Sequence, residues 1–421
     1  MADTTPITVA AIAERLRSSG IAVAVVGDGD TVVEGLTHDS RAVSRGNVFA
    51  CLRGHSFDGH DFAAETVAAG AVALLVDEAL EDVGACPQLV VEDTRLAVGP
   101  ASAIAWGDPA DDVTLIGITG TNGKTTTAQI VAALLEAGGM STGVIGTLHG
   151  ERTTPEAPDL HRTLAGFRDD GRRAVVMEVS SHALALHRID GTRFDLVAFT
   201  NFGHDHLDLH GSPEAYFRAK AALFTSTFAP HAVINVGDSR GRLLADTVSD
   251  RTGDEAMEVT TIDGDELSEV VVGPADHSYR WSGRSIAVPL GGEFNVANSH
   301  MALSIVSALP GSLGLDIDDA ITGFARLSAV PGRFELVETS ASRERGVTVV
   351  VDFSADLTDQ QLVRCALGPQ ASGIDALEAI GLGINDNPEA AGAVSGSVCT
   401  VEGLPAGGYP DCWLNLGYWS Y

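Results

Sequence analysis

Short apolar runs, each four to six residues long, recur through the first 235 residues and set the frame of the chain. They fall at Ala22–Val26, Val48–Leu52, Ala71–Val76, Val113–Ile118, Ser141–Ile145, Ala174–Val179, Leu196–Thr200 and Ala232–Asn235. Runs of this length bounded by polar, glycine-bearing stretches predict buried strands. Between them, helical spacing of apolar residues predicts helices over Ile7–Ser19, over Asp61–Ala69, from Lys124 through Leu134, from about Leu160, and over Pro213–Phe224. Strands alternating with helices imply an α/β fold with a mostly parallel sheet covered on both faces. In such sheets ligands bind beyond the carboxyl ends of the strands.

One strand–helix junction carries a clear chemical signal. In Leu115–Ile130 (LIGITGTNGKTTTAQI) a buried strand gives way to Gly120-Thr121-Asn122-Gly123, and Lys124-Thr125-Thr126-Thr127 opens a helix. That turn directs backbone N–H groups and a helix N-terminus at one point, which favours an anion. Lys124 can reach the outer phosphates of a nucleotide, and the Thr125 hydroxyl can ligate Mg²⁺. The spacing is not that of the standard P-loop: Ile118 stands where its first glycine would be, and Gly120 lies three residues before Gly123. Lysine usage sharpens the signal. Of 26 cationic side chains only Lys124 and Lys220 are lysines, so the phosphate-loop position calls for an ammonium in particular, and Lys220 becomes the second residue to explain.

Two neighbouring strand ends add ligands on the same rim. One ends in Glu178-Val179-Ser180-Ser181-His182, the other in TNFGHDHLDLHG from Thr200 to Gly211, with Asp205 and His206. A carboxylate and an imidazole beside a phosphate loop suit Mg²⁺, which takes one or two protein ligands plus phosphate and water. Zinc would call for a cysteine or a close histidine pair on a helix, and neither accompanies His204, His206 and His210.

Composition narrows the class. A length of 421 residues with 45% hydrophobic and 20% charged residues allows two or three globular domains. The formal charge of −31 argues against nucleic acid or an anionic membrane surface as partner. The N-terminal stretch lacks the basic and apolar regions of a signal peptide, and no apolar run reaches membrane-spanning length. Cys51 and Cys86 alone in the first 340 residues suit a reducing compartment, whereas Cys365, Cys399 and Cys412 crowd the end.

Taken in order, GTNGKTT, TTP, MEVSSHALALHR, TNFGHDHLDLHG, the helix carrying Lys220, GEFNVAN and VPGRFE closely resemble the Mur ligases, in particular their E-type branch. The DSR and RGHSFDGHDF segments are similar to that branch's UDP-binding domain, and the likeness covers about residues 25 to 340. It implies a small N-terminal α/β UDP-binding domain (1–107), a central P-loop ATPase domain with a mostly parallel sheet (108–340), and here a divergent C-terminal segment (341–421) in place of the usual third domain. It also implies site residues. Gly120, Thr121, Asn122, Gly123, Lys124, Thr125 and Thr126 would bind ATP phosphates, Asn295 and Asn298 the adenine, and Arg333 and Asp352 the rest of the nucleotide. Thr125, Glu178 and His206 would hold Mg²⁺, and Lys220, carbamoylated, a second Mg²⁺. Lys124, Lys220, Glu178 and His206 would form the catalytic set. His38, Ser40 and the His55-Ser56-Phe57 loop would hold the uridine nucleotide, and Thr153, Thr154, Ser180 and Arg188 the muramoyl-dipeptide.

The implied reaction is ATP-dependent ligation of an amino acid, a diamino acid or lysine, to UDP-N-acetylmuramoyl-L-Ala-D-Glu through an acyl phosphate. The resemblance implies a cytoplasmic monomer with no nucleic-acid or membrane partner. The end of the chain departs from the family. Val347–Phe353 predicts a strand, but SADLTDQQ follows it and the family's glycine-rich segment is missing. Asp386-Asn387-Pro388-Glu389 has glutamate where the family's selectivity motif has arginine, and we read it as coincidence. The tail is instead similar to a small cysteine-containing module at the ends of some exported bacterial proteins, with a helix at SGIDALEAIG. Two readings stay open for it: a fusion or broken reading frame, or a shortened homologue that closes its site differently. The first would leave a protein that binds ATP and UDP-precursor without completing ligation. Disulfides among its three cysteines are expected only in an oxidising setting.

Overall fold

The computed structural model describes residues 6–54, 57–203, 210–331 and 333, and the backbone of 335–337, 349–357, 360–366, 384–386 and 398–401. His55, Ser56, His204, Asp205, His206, Cys412 and the expected tail helix lie outside the described residues. The chain divides into two compact units, 1–266 with 298–323, and 267–297 with 324–421.

The first unit contains two sheets. In the first, α1 (Val9–Ser18), β1 (Val23–Val26), β2 (Gly35–Thr37), β3 (Asn47–Ala50), α2 (Ala63–Ala69), β4 (Ala73–Val76), β5 (Gln88–Val91) and α3 (Thr94–Ala105) follow in turn. The strand order is β1-β5-β4-β3-β2, parallel except for the β1–β5 pair. Period-two alternation explains why its strands read as continuous apolar runs: both faces are covered. Val48, Ala50, Ala73 and Leu75 pack with Ile12, Leu16, Ala97 and Ala101, while Phe49, Cys51, Leu74 and Val76 pack on the opposite side with Ala63.

The second sheet positions the site. It is built from β6 (Thr114–Thr119), α4 (Lys124–Ala137), β7 (Thr142–Ile145), α5 (Ala157–Asp169), β8 (Ala174–Glu178), α6 (Ser181–Ala185), β9 (Leu196–Phe199), α7 (Pro213–Ala221), β10 (His231–Asn235), α8 (Ser239–Ser249) and β11 (Glu258–Ile262). Its six strands run in the order β11-β10-β9-β6-β8-β7, all parallel. The chain leaves β6 towards β7 and later leaves β9 towards β10, so the winding reverses beside β6 and opens a crevice at its carboxyl end. Register fixes what lines it: Ile118 pairs with Glu178 and Thr119 with Phe199. α9 (Glu293–Ala308) and α10 (Ile317–Ile321) follow later in the chain.

Most expected strands and helices lie within two or three residues of their predicted limits. The second unit adds an antiparallel ribbon, β12 (Leu267–Val272), β13 (His277–Trp281) and β14 (Arg284–Val288). Its β15 (Glu335–Val337), β16 (Val349–Leu357) and β17 (Gln360–Ala366) form an antiparallel sheet, with β16 on the strand expected at Val347–Phe353. Among the described residues no helix is long and apolar enough to cross a membrane.

Inside the first unit, Arg15 of α1 grips Asp108 with two bonds of 2.7 Å. Nearby His161 of α5 is fully buried, its Nε2 3.4 Å from the Thr192 hydroxyl. Burial pushes its pKa down to about 4. The unfolded chain therefore binds a proton that the fold refuses between pH 6.5 and about 4, and stability falls as pH drops through that window. His161→Gln is expected to remove on the order of 3 kcal/mol of this acid sensitivity, read as a flatter slope of urea-unfolding free energy against pH; an unchanged slope contradicts the assignment.

Candidate functional site

The loop after β6 takes its shape from two glycines. Gly120 has φ +150° and Gly123 φ +84°, and a Cβ on either would collide with a neighbour: 1.9 Å from Thr200 Oγ1 at Gly120, 2.3 Å from Asn298 Oδ1 at Gly123. Thr8, Asp93, Ser180, Ser212 and Asp238 cap α1, α3, α6, α7 and α8 with side-chain oxygens. α4 starts on Gly123 with no such cap. Its first backbone bond runs from Thr127 N to Gly123 O, so the N–H groups of Lys124, Thr125 and Thr126 face out of the helix end. That end is open to an anion.

The end of β9 braces the loop. Thr121 N donates to Asn201 O and Asn122 N to Asn201 Oδ1, both at 2.9 Å, while Asn201 Nδ2 returns a bond to Asn122 O at 3.0 Å. Thr200 Oγ1 donates to Asn122 O at 2.6 Å. Its backbone is thus held from one side by protein groups.

Both lysines of the chain meet at this loop. Lys124 Nζ donates to Gly120 O and Thr121 O at 3.0 Å each. Lys220, 1% exposed, reaches from α7 and donates to the same Gly120 O at 2.7 Å. Opposite them Glu178, 1% exposed, accepts from Thr125 Oγ1 at 2.8 Å and from Thr147 N at 2.9 Å. A buried carboxylate and a hydroxyl in contact are hard oxygen donors that fit Mg²⁺.

A second cluster adjoins Glu178. Thr154 Oγ1 donates to Glu178 O at 2.9 Å and accepts from Ser180 N at 3.0 Å, and Thr153 Oγ1 lies 3.0 Å from Thr147 Oγ1. Arg188 donates to Thr154 O at 3.3 Å, and its Nε lies 2.9 Å from the Glu156 carboxylate, an ion pair without hydrogen-bond alignment. Arg95 grips the other oxygen of Glu156 at 2.7 Å. Burial lowers the Arg188 pKa, and Glu156 partly offsets it. The expected dipeptide residues thus form one contiguous group.

The uridine candidates lie around the first sheet. His38 lies 4.0 Å from Asp159, and burial lowers its pKa. Ser40 opens a short turn, Ser40–Ala42, capped by Asp39. Hydrogen bonding from Arg41 holds the Asp39 carboxyl at about 2. Phe57 is 75% exposed, and its carbonyl accepts from Gly54 N at 2.9 Å. Asn298 lies against Gly123. In the second unit Asn295 donates to Gly291 O at 2.7 Å and Arg333 N to Val330 O at 2.9 Å. Asp352 sits in β16, its side chain outside what is described. The sequence reading gave no roles to Asn201, Thr147 or Tyr216, although each had a signal: the first two follow parallel strands, and Tyr216 lies one helical turn from Lys220.

Comparison with known proteins agrees with this geometry. The family model described as Mur ligase middle domain matches residues 118–306, and that described as Mur ligase family, catalytic domain, matches 32–99. The UDP-N-acetylmuramoyl-L-alanyl-D-glutamate–2,6-diaminopimelate ligase of Streptomyces coelicolor is 42% identical, covering 74% of this chain and 64% of its own length. The ligase of the same name from Chlorobaculum tepidum is 37% identical, covering 78% of this chain and 68% of its own. A solved structure of a UDP-N-acetylmuramoyl-L-alanyl-D-glutamate–2,6-diaminopimelate ligase superposes with a TM-score of 0.65 at 25% identity, covering 80% of this chain and 70% of the other. The chain thus spans about two thirds of the length of the relatives it matches. With motif order, parallel sheet and relatives in agreement, this chain belongs to the Mur ligase family.

Proposed function

We propose that the chain is an ATP-dependent carboxylate–amine ligase of peptidoglycan precursor synthesis, joining an amino acid to UDP-N-acetylmuramoyl-L-Ala-D-Glu with release of ADP and phosphate. The names of the relatives make diaminopimelate our choice of amino acid. The observation that carries the reading is the meeting of Lys124 and Lys220 on the Gly120 carbonyl, facing the Thr125–Glu178 pair.

ATP lies with its phosphates along Gly120–Thr126, in the open end of α4, and Asn298 flanks Gly123 on the adenine side. Asn295 serves the adenine with it, and Arg333 and Asp352 serve the rest of the nucleotide. His38, Ser40 and the loop with His55, Ser56 and Phe57 take the uridine part, and Thr153, Thr154, Ser180 and Arg188 the muramoyl-dipeptide. The substrate carboxylate attacks the γ-phosphorus, the bond to the ADP oxygen breaks, and an acyl phosphate forms. The amine then adds to the acyl carbon, and the tetrahedral intermediate expels phosphate to leave the amide. Lys124 neutralises charge that builds on the transferring phosphoryl group. Thr125, Glu178 and His206 would hold Mg²⁺, which would offset phosphate charge.

Lys220 serves as a carbamate. Its neutral amine adds CO₂ and loses a proton to solvent, one N–H remains on Nζ to donate to Gly120 O, and the new carboxylate would offer oxygen to a second Mg²⁺. Domains 1–107, 108–340 and 341–421 follow this division of labour. We place the protein in the cytoplasm as a monomer, with the amino acid supplied from solution.

Purified chain given UDP-muramoyl-dipeptide, ATP, Mg²⁺ and diaminopimelate is expected to release phosphate in an amino-acid-dependent way. Binding of both nucleotides with no such release contradicts ligation by this chain. Lys124→Ala and Glu178→Gln should each lower kcat by about a hundredfold or more, and Lys220→Ala and Lys220→Arg should fail alike; an active Lys220→Arg would show that charge alone suffices. Gly123→Ala, strained at φ +84° and crowded by Asn298, should weaken ADP binding at least tenfold by calorimetry. Unchanged affinity would remove the loop from the nucleotide site.

A further inference from the structure

Tyr216 of α7 is 1% exposed and lies one helical turn before Lys220, so the two share a face of the helix. Its ring lies beneath the Lys220 ammonium, with Nζ 4.5 Å from the centroid. Its hydroxyl is 3.2 Å from Thr121 Oγ1 in the phosphate loop. Thr121 Oγ1 in turn accepts from Gly203 N at 2.9 Å, just beyond β9. Phe202 and His210 pack around the ring, each with a centroid separation of 5.3 Å. A single rigid side chain therefore touches both the loop and the lysine, which also meet at the Gly120 carbonyl oxygen.

We propose that Tyr216 is a positioning residue that holds the nucleotide loop and Lys220 in mutual register. The inference rests on the nucleotide reading of the loop. The two ends of the side chain have separable duties. The hydroxyl sets the loop through Thr121, and the ring, which fills the space beneath Nζ, sets the Lys220 rotamer. A side chain that merely filled the core would be replaceable by another of like volume; this one bonds at a fixed distance from its packing face.

Tyr216→Phe keeps the ring and removes the hydroxyl. It should weaken ADP binding about three- to tenfold by calorimetry and raise KM for ATP, with kcat largely kept. Tyr216→Leu should lose kcat in addition, because Nζ then lacks the ring that packs beneath it and keeps only its bond to Gly120 O to set its position. Thr121→Val, which also removes the bond from Gly203 N, should weaken ADP binding at least as much as Tyr216→Phe, and the double variant should be no worse than Thr121→Val, since the hydroxyl then has no loop contact left to lose. Full additivity, or Tyr216→Phe with wild-type ADP affinity, overturns the proposal. A wild-type chain that fails to bind ADP overturns the nucleotide reading instead. Circular dichroism and the thermal midpoint identify a variant that has not folded, in which case Thr121→Val alone decides.

Discussion

The site depends on one carbonyl oxygen. Gly120 O receives the ammonium groups of Lys124 and Lys220, one from the helix that follows the loop and one from a helix roughly a hundred residues later. Two cations around one neutral oxygen repel each other, and burial of Lys220 strengthens that repulsion. Such an arrangement is stable when anions enter between the charges. In the proposed reading, nucleotide phosphate at the loop and carbamoylation of Lys220 would each relieve that repulsion.

The rest of the parallel sheet holds that arrangement in place. Placing β6 between β8 and β9 sets Glu178 on one side of the loop and Thr200 and Asn201 on the other. The asparagine ladder from Asn201 keeps the loop backbone in a shape that two glycines make accessible. Because the brace comes from protein groups, the open end of α4 is ready for a ligand at little ordering cost.

Much of this was legible in the sequence. Apolar runs of strand length gave the parallel sheet, and the near absence of lysine singled out Lys124 and Lys220 before any geometry was available. Glu178 was legible because strand ends line the rim of such sheets. Asn201, Thr147 and Tyr216 were less so. Their work depends on register and on side-chain direction, which a linear pattern does not specify; Tyr216 in particular reads as an ordinary buried aromatic until its hydroxyl is seen against Thr121. The ribbon β12–β14 also escaped the reading, since β12 is almost wholly exposed and β13 and β14 bury only alternate positions, so none carries a long buried apolar run.

The two-lysine composition offers a direct test. Selective isotope labelling of lysine gives side-chain resonances from two sites only, and each can be assigned with one substitution. If both lysine side chains border one nucleotide cleft, Mg²⁺ and ADP will shift both resonances together, with a single binding isotherm. A nucleotide that moves the Lys124 signal and leaves Lys220 untouched, or moves neither, contradicts the shared cleft.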